Sequence, residues 1–345
     1  MEPLLGKSLT ELQTIAIEAG LPRFVGKQLC EWIYQKRVCS FDEMSNISLK
    51  AREALKEKYC IGRIQPTAEA VSVDGTRKYL FPVNTQFIEC VYLPEDDRVT
   101  LCVSTQAGCK MGCKFCMTGT LGFHGNLSAA DILAQVLNFP DLTNLVLMGE
   151  GEPMDNIDNV LRALNVLTAE WGLGWSPKRI TVSTVGILPK SSQQSALQRF
   201  LDETDCHLAI SLHNPFADER AAIMPAQKLT PISDVLDLVR QYDWSRQRRL
   251  SFEYICWAGM NDDTPHAKQL LRLVQGIPCR VNLIRFHEGV EKADNSSTHF
   301  HASNEQRMIA FRDYLSAHGV TCTIRRSRGE DILAACGMLV NSLQQ

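Results

Sequence analysis

Cys109-Lys110-Met111-Gly112-Cys113-Lys114-Phe115-Cys116 places three thiols within eight residues. Gly108 and Gly112 let the chain turn tightly enough for all three sulfurs to wrap one metal centre. Two kinds of centre fit. Structural zinc takes four ligands, commonly with a second Cys-x2-Cys pair, which is missing here, although His124 can offer a fourth donor. A [4Fe–4S] cluster held by only three cysteines leaves one iron open to a substrate. Three more residues have chemistry to offer. Cys336 sits among small residues in Ala334-Ala335-Cys336-Gly337, which leave its sulfur approachable. Cys102 lies seven residues before Cys109, and Glu89 breaks the otherwise apolar run Ile88-Glu89-Cys90-Val91. Taken singly, each has a plain reading: cysteine is often a small buried hydrophobe, and a strand glutamate can face water.

These residues need elements to position them. From residue 99 onward, apolar strand-length runs alternate with helical periodicity. Strands are expected over 99–104, 144–148, 179–184, 207–211, 250–255 and 280–284, with helices over 128–138, 156–167, 232–242, 265–274 and 305–318. Six such units in about 220 residues predict a parallel sheet, either doubly wound or curled toward a barrel. Polar residues gather at the expected strand ends: Gly151 and Glu152, then Ser183 and Thr184, then Ser211-Leu212-His213, then Arg285-Phe286-His287. In a parallel α/β fold these ends share one rim, where ligands bind. The first 78 residues read as short helices, the first opened by the capping box Ser8-Leu9-Thr10-Glu11. Residues 79–98 read as a hairpin linker carrying Glu89, 99–320 as the α/β core, and 321–345 as a segment carrying Cys336. The polar stretch 291–297 is expected to be a mobile loop.

Composition removes several classes. Of 345 residues 13 are cysteine, an odd number without the spacing of a secreted framework, so a reducing, cytoplasmic setting is expected. No apolar run is long enough to span a membrane. With 36 basic and 39 acidic residues, the net charge of −3 does not mark a nucleic-acid binder. RNA contact would rest on local patches, namely Lys36-Arg37, Arg246 with Arg248-Arg249, or Arg325-Arg326 with Arg328, each of which reads first as a solvated face.

The Cys-x3-Cys-x2-Cys loop after a first strand resembles that of radical S-adenosylmethionine (SAM) enzymes, in which Phe115 would pack near the adenine of SAM. The resemblance then extends along nearly the whole chain. Gly151-Glu152-Pro153, Ile180-Thr181-Val182-Ser183-Thr184, Leu208-Ala209-Ile210-Ser211-Leu212-His213, Met224-Pro225, Phe252-Glu253-Tyr254, Val281-Asn282-Leu283-Ile284 and the Cys336 segment are similar, in order, to the RlmN/Cfr family of radical SAM RNA methyltransferases. The small helical domain points to the RlmN branch.

This resemblance implies a partial (β/α)6 radical SAM barrel with a helical accessory domain. It implies a [4Fe–4S] cluster on Cys109, Cys113 and Cys116, and SAM against Gly151, Glu152, Ser183, Ser211, Leu212, His213 and His287. It implies a methyl group carried on Cys336, a base at Glu89, and a resolving thiol at Cys102 that pairs with Cys336 in a transient disulfide. The product would be adenosine methylated at C2 in 23S rRNA and in tRNA beside the anticodon, with flavodoxin or ferredoxin as electron donor. Cfr-type methylation at C8, or a zinc-stabilised RNA-binding module without catalysis, are the alternatives. Three positions depart from the family pattern: Glu150 and Met338 stand where methionine and glutamine are usual, and His287 where an asparagine contacts SAM.

Overall fold

The structure is a computed structural model and describes residues 1–188, 194–244, 248–287 and 300–339. The stretch 291–297 and Arg246 lie outside the described residues. Two short strands, β1 (Glu2–Pro3) and β2 (Tyr59–Cys60), pair in parallel beside helices α1 (Leu9–Glu18), α2 (Val25–Cys30) and α3 (Leu49–Lys56). The expected capping box opens α1: the Ser8 hydroxyl accepts from the Glu11 amide while the Glu11 carboxylate accepts from the Ser8 amide.

Among the described residues the main sheet has ten strands. It begins with β3 (Ala68–Val71), β4 (Arg77–Val83) and β5 (Gln86–Pro94), each antiparallel to the next. It continues through β6 (Val99–Cys102), β9 (Asn144–Leu147), β10 (Ile180–Thr184), β11 (His207–Ser211), β12 (Leu250–Cys256), β13 (Arg280–Arg285) and β14 (Thr321–Ile324), all parallel. The parallel strands lie side by side in chain order, without reversal. A doubly wound sheet needs a switch point where the order turns back; steady right-handed crossovers put every helix on one face and curl the sheet as in a barrel. That decides the architecture expected from the sequence. The sheet also extends further than the six strands read there. It gains β14 at one edge and β3 at the other, so the hairpin expected from residue 79 is a three-stranded unit starting at Ala68.

Side chains alternate cleanly between two faces. Leu101, Leu145, Val182, Leu208, Phe252 and Leu283 point outward into one continuous apolar core. That core is shared with α4 (Ala129–Leu137), α5 (Ile157–Thr168), α6 (Ala196–Glu203), α9 (Ile232–Val239), α10 (Thr264–Val274) and α11 (Glu305–Ala317). The N-terminal helices join the same core through Leu12, Leu29, Ile33 and Tyr34. Polar ties reinforce the seam: Arg37 donates to the Phe139 carbonyl at 2.9 Å and Asn138 to the Ile64 carbonyl at 2.8 Å. The opposite face carries Cys102, Ser183, Ser211 and Glu253, unusual residues for a packed barrel interior and expected where an interior holds a ligand.

Among the described residues, no helix is long and apolar enough to cross a membrane. The basic patches are largely spent on the fold. Lys36 lies 3.7 Å over the Trp32 ring, Arg248 donates to the Leu201 carbonyl at 2.7 Å, and Arg328 donates to the Pro94 carbonyl at 2.6 Å.

Candidate active site

The loop bearing the three cysteines is fixed at its ends before it is fixed at its sulfurs. A two-stranded ladder of β7 (Gln106–Gly108) and β8 (Phe123–Asn126) closes its base, and the Cys109 amide donates to the Gly122 carbonyl at 2.8 Å. Gly108 sits at φ +69°, and a Cβ there would lie 1.9 Å from the Gly122 oxygen, so only glycine fits. The loop's middle is pinned to α7 (Ala217–Ile223) by the Lys114 amide, which donates to the Ile223 carbonyl at 2.9 Å. Its end meets the C-terminal segment, where the Met117 amide donates to the Gly337 carbonyl at 2.7 Å.

A cavity opens below this loop. Cys109, Cys113 and Cys116 line one end, and Gly151, Glu152, Ser183, Ser211 and His213 line the wall from the strand ends. Cys336 faces the same space from the C-terminal segment. Cys336 is exposed to the cavity it faces, yet protein surrounds that cavity, and this burial raises its thiol above the ordinary range. Burial also pushes the Cys109 thiol up to about 12 and Cys113 higher still; metal coordination would deprotonate both. Three soft sulfur donors at one end of a largely apolar cavity, with glycines leaving room on the floor, suit an iron–sulfur cluster with a bound cosubstrate. Among the described residues no three His, Cys, Asp or Glu side chains converge on a single ion. His124 is exposed, its Nε2 bonded to the Leu121 carbonyl at 2.8 Å, and it does not line this cavity; a zinc centre completed by His124 has no support in the geometry.

The wall residues are held from behind. The Glu152 carboxylate accepts from the Met154 amide (3.0 Å), the Thr184 hydroxyl (2.6 Å) and the Val185 amide (2.9 Å), stitching the ends of β9 and β10 together. His213 adopts φ +56°, uncommon outside glycine, which turns its ring into the cavity, 4.8 Å from the Phe115 ring. Its Nδ1 accepts from the Ile255 amide at 3.1 Å, so Nε2 carries the proton. Burial, with Arg220 nearby, depresses His213 to about 3, keeping the ring neutral.

Some nominated residues fall elsewhere. Leu212 is fully buried in the outer core, its amide donating to the Glu253 carbonyl and its own carbonyl accepting from Arg220. His287 lies in an adjoining cavity shared with Cys102, Arg325 and Cys336. Alternation at the end of β13 sends Phe286 toward the aromatic cluster at Trp257 and His287 the other way. There both its ring nitrogens are taken, one by the Ser327 hydroxyl and one by Glu330 at 3.2 Å. Cys102 and Cys336 face that second cavity together as free thiols, with burial and the neighbouring Cys336 pushing Cys102 up to about 12. Glu89 lines neither cavity; it is fully buried beside Lys78 on the same face of β5 as Val91, which packs on Ala334 and Leu339.

Three further residues brace the site, of which the sequence flagged Arg325 only as part of a basic patch and Arg220 not at all. Arg220 is fully buried and donates to the carbonyls of Leu212 (3.0 Å), Val185 (2.8 Å) and Ser211 (3.0 Å), as well as to Gln227 (2.6 Å). Arg325 lines both cavities and reaches Glu253 at 3.2 Å. Glu150 is buried, accepting from the Glu89 amide at 2.8 Å and the Gly108 amide at 3.1 Å. Glu150 had a hint, as a departure from the family pattern.

Burial pushes Glu150 and Glu152 up to about 7 from an ordinary 4.5. The folded protein therefore holds protons the unfolded chain has lost between these values. Stability falls as pH rises through that window, by up to roughly 1.4 kcal/mol per pH unit for each carboxyl. Glu150→Met is expected to remove one carboxyl's share of the slope, measured by urea unfolding of the apoprotein between pH 4.5 and 7.5.

Residues 103–271 match the radical SAM superfamily, and residues 3–61 match the ribosomal RNA large subunit methyltransferase N-terminal domain. The chain is 53% identical over 349 residues to the probable dual-specificity RNA methyltransferase RlmN of Bacteroides fragilis, covering 99% of this chain and 97% of that protein. It is 39% identical over 352 residues to the dual-specificity RNA methyltransferase RlmN of Oleidesulfovibrio alaskensis, covering 98% and 96%. Among solved structures, a radical SAM methyltransferase from Sphaerobacter thermophilus superposes with a TM-score of 0.88 at 34% identity, covering 98% of this chain and 99% of that one.

Proposed function

Because this chain belongs to the RlmN family of radical SAM RNA methyltransferases, we propose that it methylates C2 of adenosine in 23S rRNA and in tRNA beside the anticodon, through a methyl group carried first on Cys336. The observation that carries this reading is the position of Cys336, which faces the three-cysteine cavity on one side and the Cys102 cavity on the other. The family's enzymes use a [4Fe–4S] cluster and SAM. In this reading Cys109, Cys113 and Cys116 hold the cluster, which supplies the electron that splits SAM to a carbon radical.

The rest of the work falls to this chain's own residues. Adenine C2 lies between two ring nitrogens and is electron-poor, so it cannot attack a methyl group directly. A thiolate can, and Cys336 takes that methyl. Gly151, Glu152, Ser183, Ser211 and His213 orient SAM, while Leu212 supports their wall from the core and His287 braces the C-terminal segment. Once the carbon on Cys336 is joined to C2, the one unpaired electron returns to the cluster and Glu89 takes the C2 proton. The Cys102 thiolate then bonds the Cys336 sulfur, and the sulfur–carbon bond breaks with its electron pair left on the new carbon. That carbon takes up a proton to become the methyl group of the freed RNA. A cytoplasmic reductant then restores both thiols, and a flavodoxin or ferredoxin supplies the electron for SAM cleavage. Glu89 lies behind Lys78 and the C-terminal segment, so that segment has to shift for the base to reach the ring. The RNA presents its base unstacked, as enzymes acting on a base require.

The test is anaerobic reconstitution with iron and sulfide, turnover with methyl-labelled SAM on a 23S rRNA fragment and on tRNA, and mass mapping of the product. 2-Methyladenosine is expected in both RNAs. An 8-methyl product would sink the C2 assignment, and label in rRNA alone would sink the tRNA activity.

A further inference from the structure

Lysine is rarely fully buried unless something compels it, and Lys78 has no solvent exposure. Its Nζ lies 3.0 Å from Glu89 Oε1, and Glu89 is equally buried. In the register of β4 and β5, Lys78 stands opposite Val91, so it reaches Glu89 diagonally on the same face. Lys78 Nζ also donates to the Leu333 carbonyl at 3.4 Å, three residues before Cys336. Leu333 itself adopts φ +53°, a strained backbone for a branched side chain, just after the turn at Glu330–Ile332. Among the described residues, the charged and titratable groups around Glu89 include Lys78 on β4, Glu150 after β9, and Cys90 beside it on β5. Val91, Leu93, Ala334 and Leu339 make the neighbouring surface apolar.

We propose that Lys78 is a positioning residue for the reaction: it keeps Glu89 a carboxylate in an apolar surround and ties that carboxylate to the segment carrying Cys336. This rests on the reading of Glu89 as the base. Removing the ammonium takes away the opposite charge 3.0 Å from Glu89 while the Glu150 carboxyl stays close, and a buried carboxylate is harder to keep charged without an ion-pair partner. A protonated Glu89 has nowhere to put the C2 proton. In the step itself the proton leaves C2 for Glu89, its bonding electrons stay in the ring, and Lys78 keeps all its own protons.

Lys78→Met, Lys78→Arg and Glu89→Gln are to be compared as reconstituted holoenzymes with SAM, reductant and an rRNA fragment. The readouts are iron content, methylation of Cys336 by intact mass, the covalent protein–RNA adduct on denaturing gels, and the pH dependence of adduct breakdown. Lys78→Met is expected to bind iron, to carry the methyl on Cys336 and to form the adduct. It should break the adduct down about 10–100-fold more slowly at pH 7 and recover as pH rises, with Lys78→Arg restoring most of the rate. Breakdown at the parent rate in Lys78→Met overturns the proposal. So does loss of Cys336 methylation or of the adduct itself, since a merely structural lysine would act that early. Glu89→Gln separates the two claims: parent-rate breakdown there sinks the base, whereas a trapped adduct there with normal breakdown in Lys78→Met sinks only the lysine's role. Should Lys78→Met fail to fold, Lys78→Gln, which keeps a donor without the charge, is judged by the same readouts.

Discussion

Cys336→Ala is expected to lower RNA methylation by about 10³-fold or more, the scale on which an enzyme loses its nucleophile. The substitution removes one sulfur from a side chain that borders open space, so no packed core collapses around it. The cysteine loop keeps its anchors, because the Met117 amide bonds the carbonyl of Gly337 and the Thr118 hydroxyl that of Leu339, neither of which involves the deleted atom. Iron content and SAM binding should therefore match the parent, with stability within about 1 kcal/mol. Intact mass gives a second reading: the parent should acquire one methyl group on incubation with SAM, and the variant none. Labelled methyl reaching RNA at an appreciable rate in Cys336→Ala would end the carrier model, whatever the position of the methyl on the base.

Arg220→Met is expected to cost about 3–5 kcal/mol of stability and to weaken SAM binding at least tenfold. Among the described residues Arg220 has no carboxylate hydrogen-bond partner; it serves three main-chain carbonyls just at the ends of β10 and β11 and the side-chain amide of Gln227. Burial depresses it to about 10, still protonated at neutral pH. An apolar replacement removes this donor from all four acceptors, but the Leu212 carbonyl keeps the Asn214 amide and Gln227 keeps the Ile232 amide. The Val185 and Ser211 carbonyls therefore carry most of the loss, about 1–3 kcal/mol each if left unpaired, offset in part by no longer burying a charge. The released carbonyls belong to Val185, Ser211 and Leu212, so the loss spreads to Ser183, Ser211 and His213 on the cavity wall. Urea unfolding and equilibrium dialysis with SAM measure the two effects. A stable variant with parent SAM affinity would show that the wall stands without its brace.

The contrast between these two residues illustrates what a sequence discloses. Cys336 belongs to a local pattern, as do the cysteine loop and the capping boxes at Ser8 and Ser128, whose partners lie three residues away. The long parallel strands were legible because each is an apolar run of fixed period. The edge strands β3 and β14 are four residues each, with alternate positions exposed, and resemble polar loop until a neighbour pairs with them. Helices α6 and α7 are eight and seven residues long, too short for periodicity to stand out. Arg220 bonds carbonyls as far as 35 residues away, and Arg325 bonds Glu253 across 72. Backbone acceptors leave no mark on side-chain identity, so no pattern announces such a residue. His287 shows a simpler limit: parity at the end of a strand decides which of two adjoining cavities a side chain enters, and one residue reverses it.

The chain after β14 returns to the opposite edge of the sheet. Asp331 accepts from the Ser72 hydroxyl at 2.6 Å and the Val73 amide at 3.1 Å, and Asp74 accepts from the Gly329 amide at 3.0 Å. Further along, the same segment is held by the cysteine loop at Gly337 and Leu339. In the proposed mechanism Cys336 is thus a tethered reactant, fastened on both sides of its sulfur, while Cys102 sits on a strand across the shared cavity. Much of the entropy of bringing two thiols together is lost when the protein folds rather than during turnover, and Cys102 meets Cys336 at an effective concentration no free thiol in solution can match. The same fastening works in reverse. A disulfide formed there is protected from dissolved reductants until the segment lets go, so the pace of latching and release can govern how often the enzyme is ready to start again.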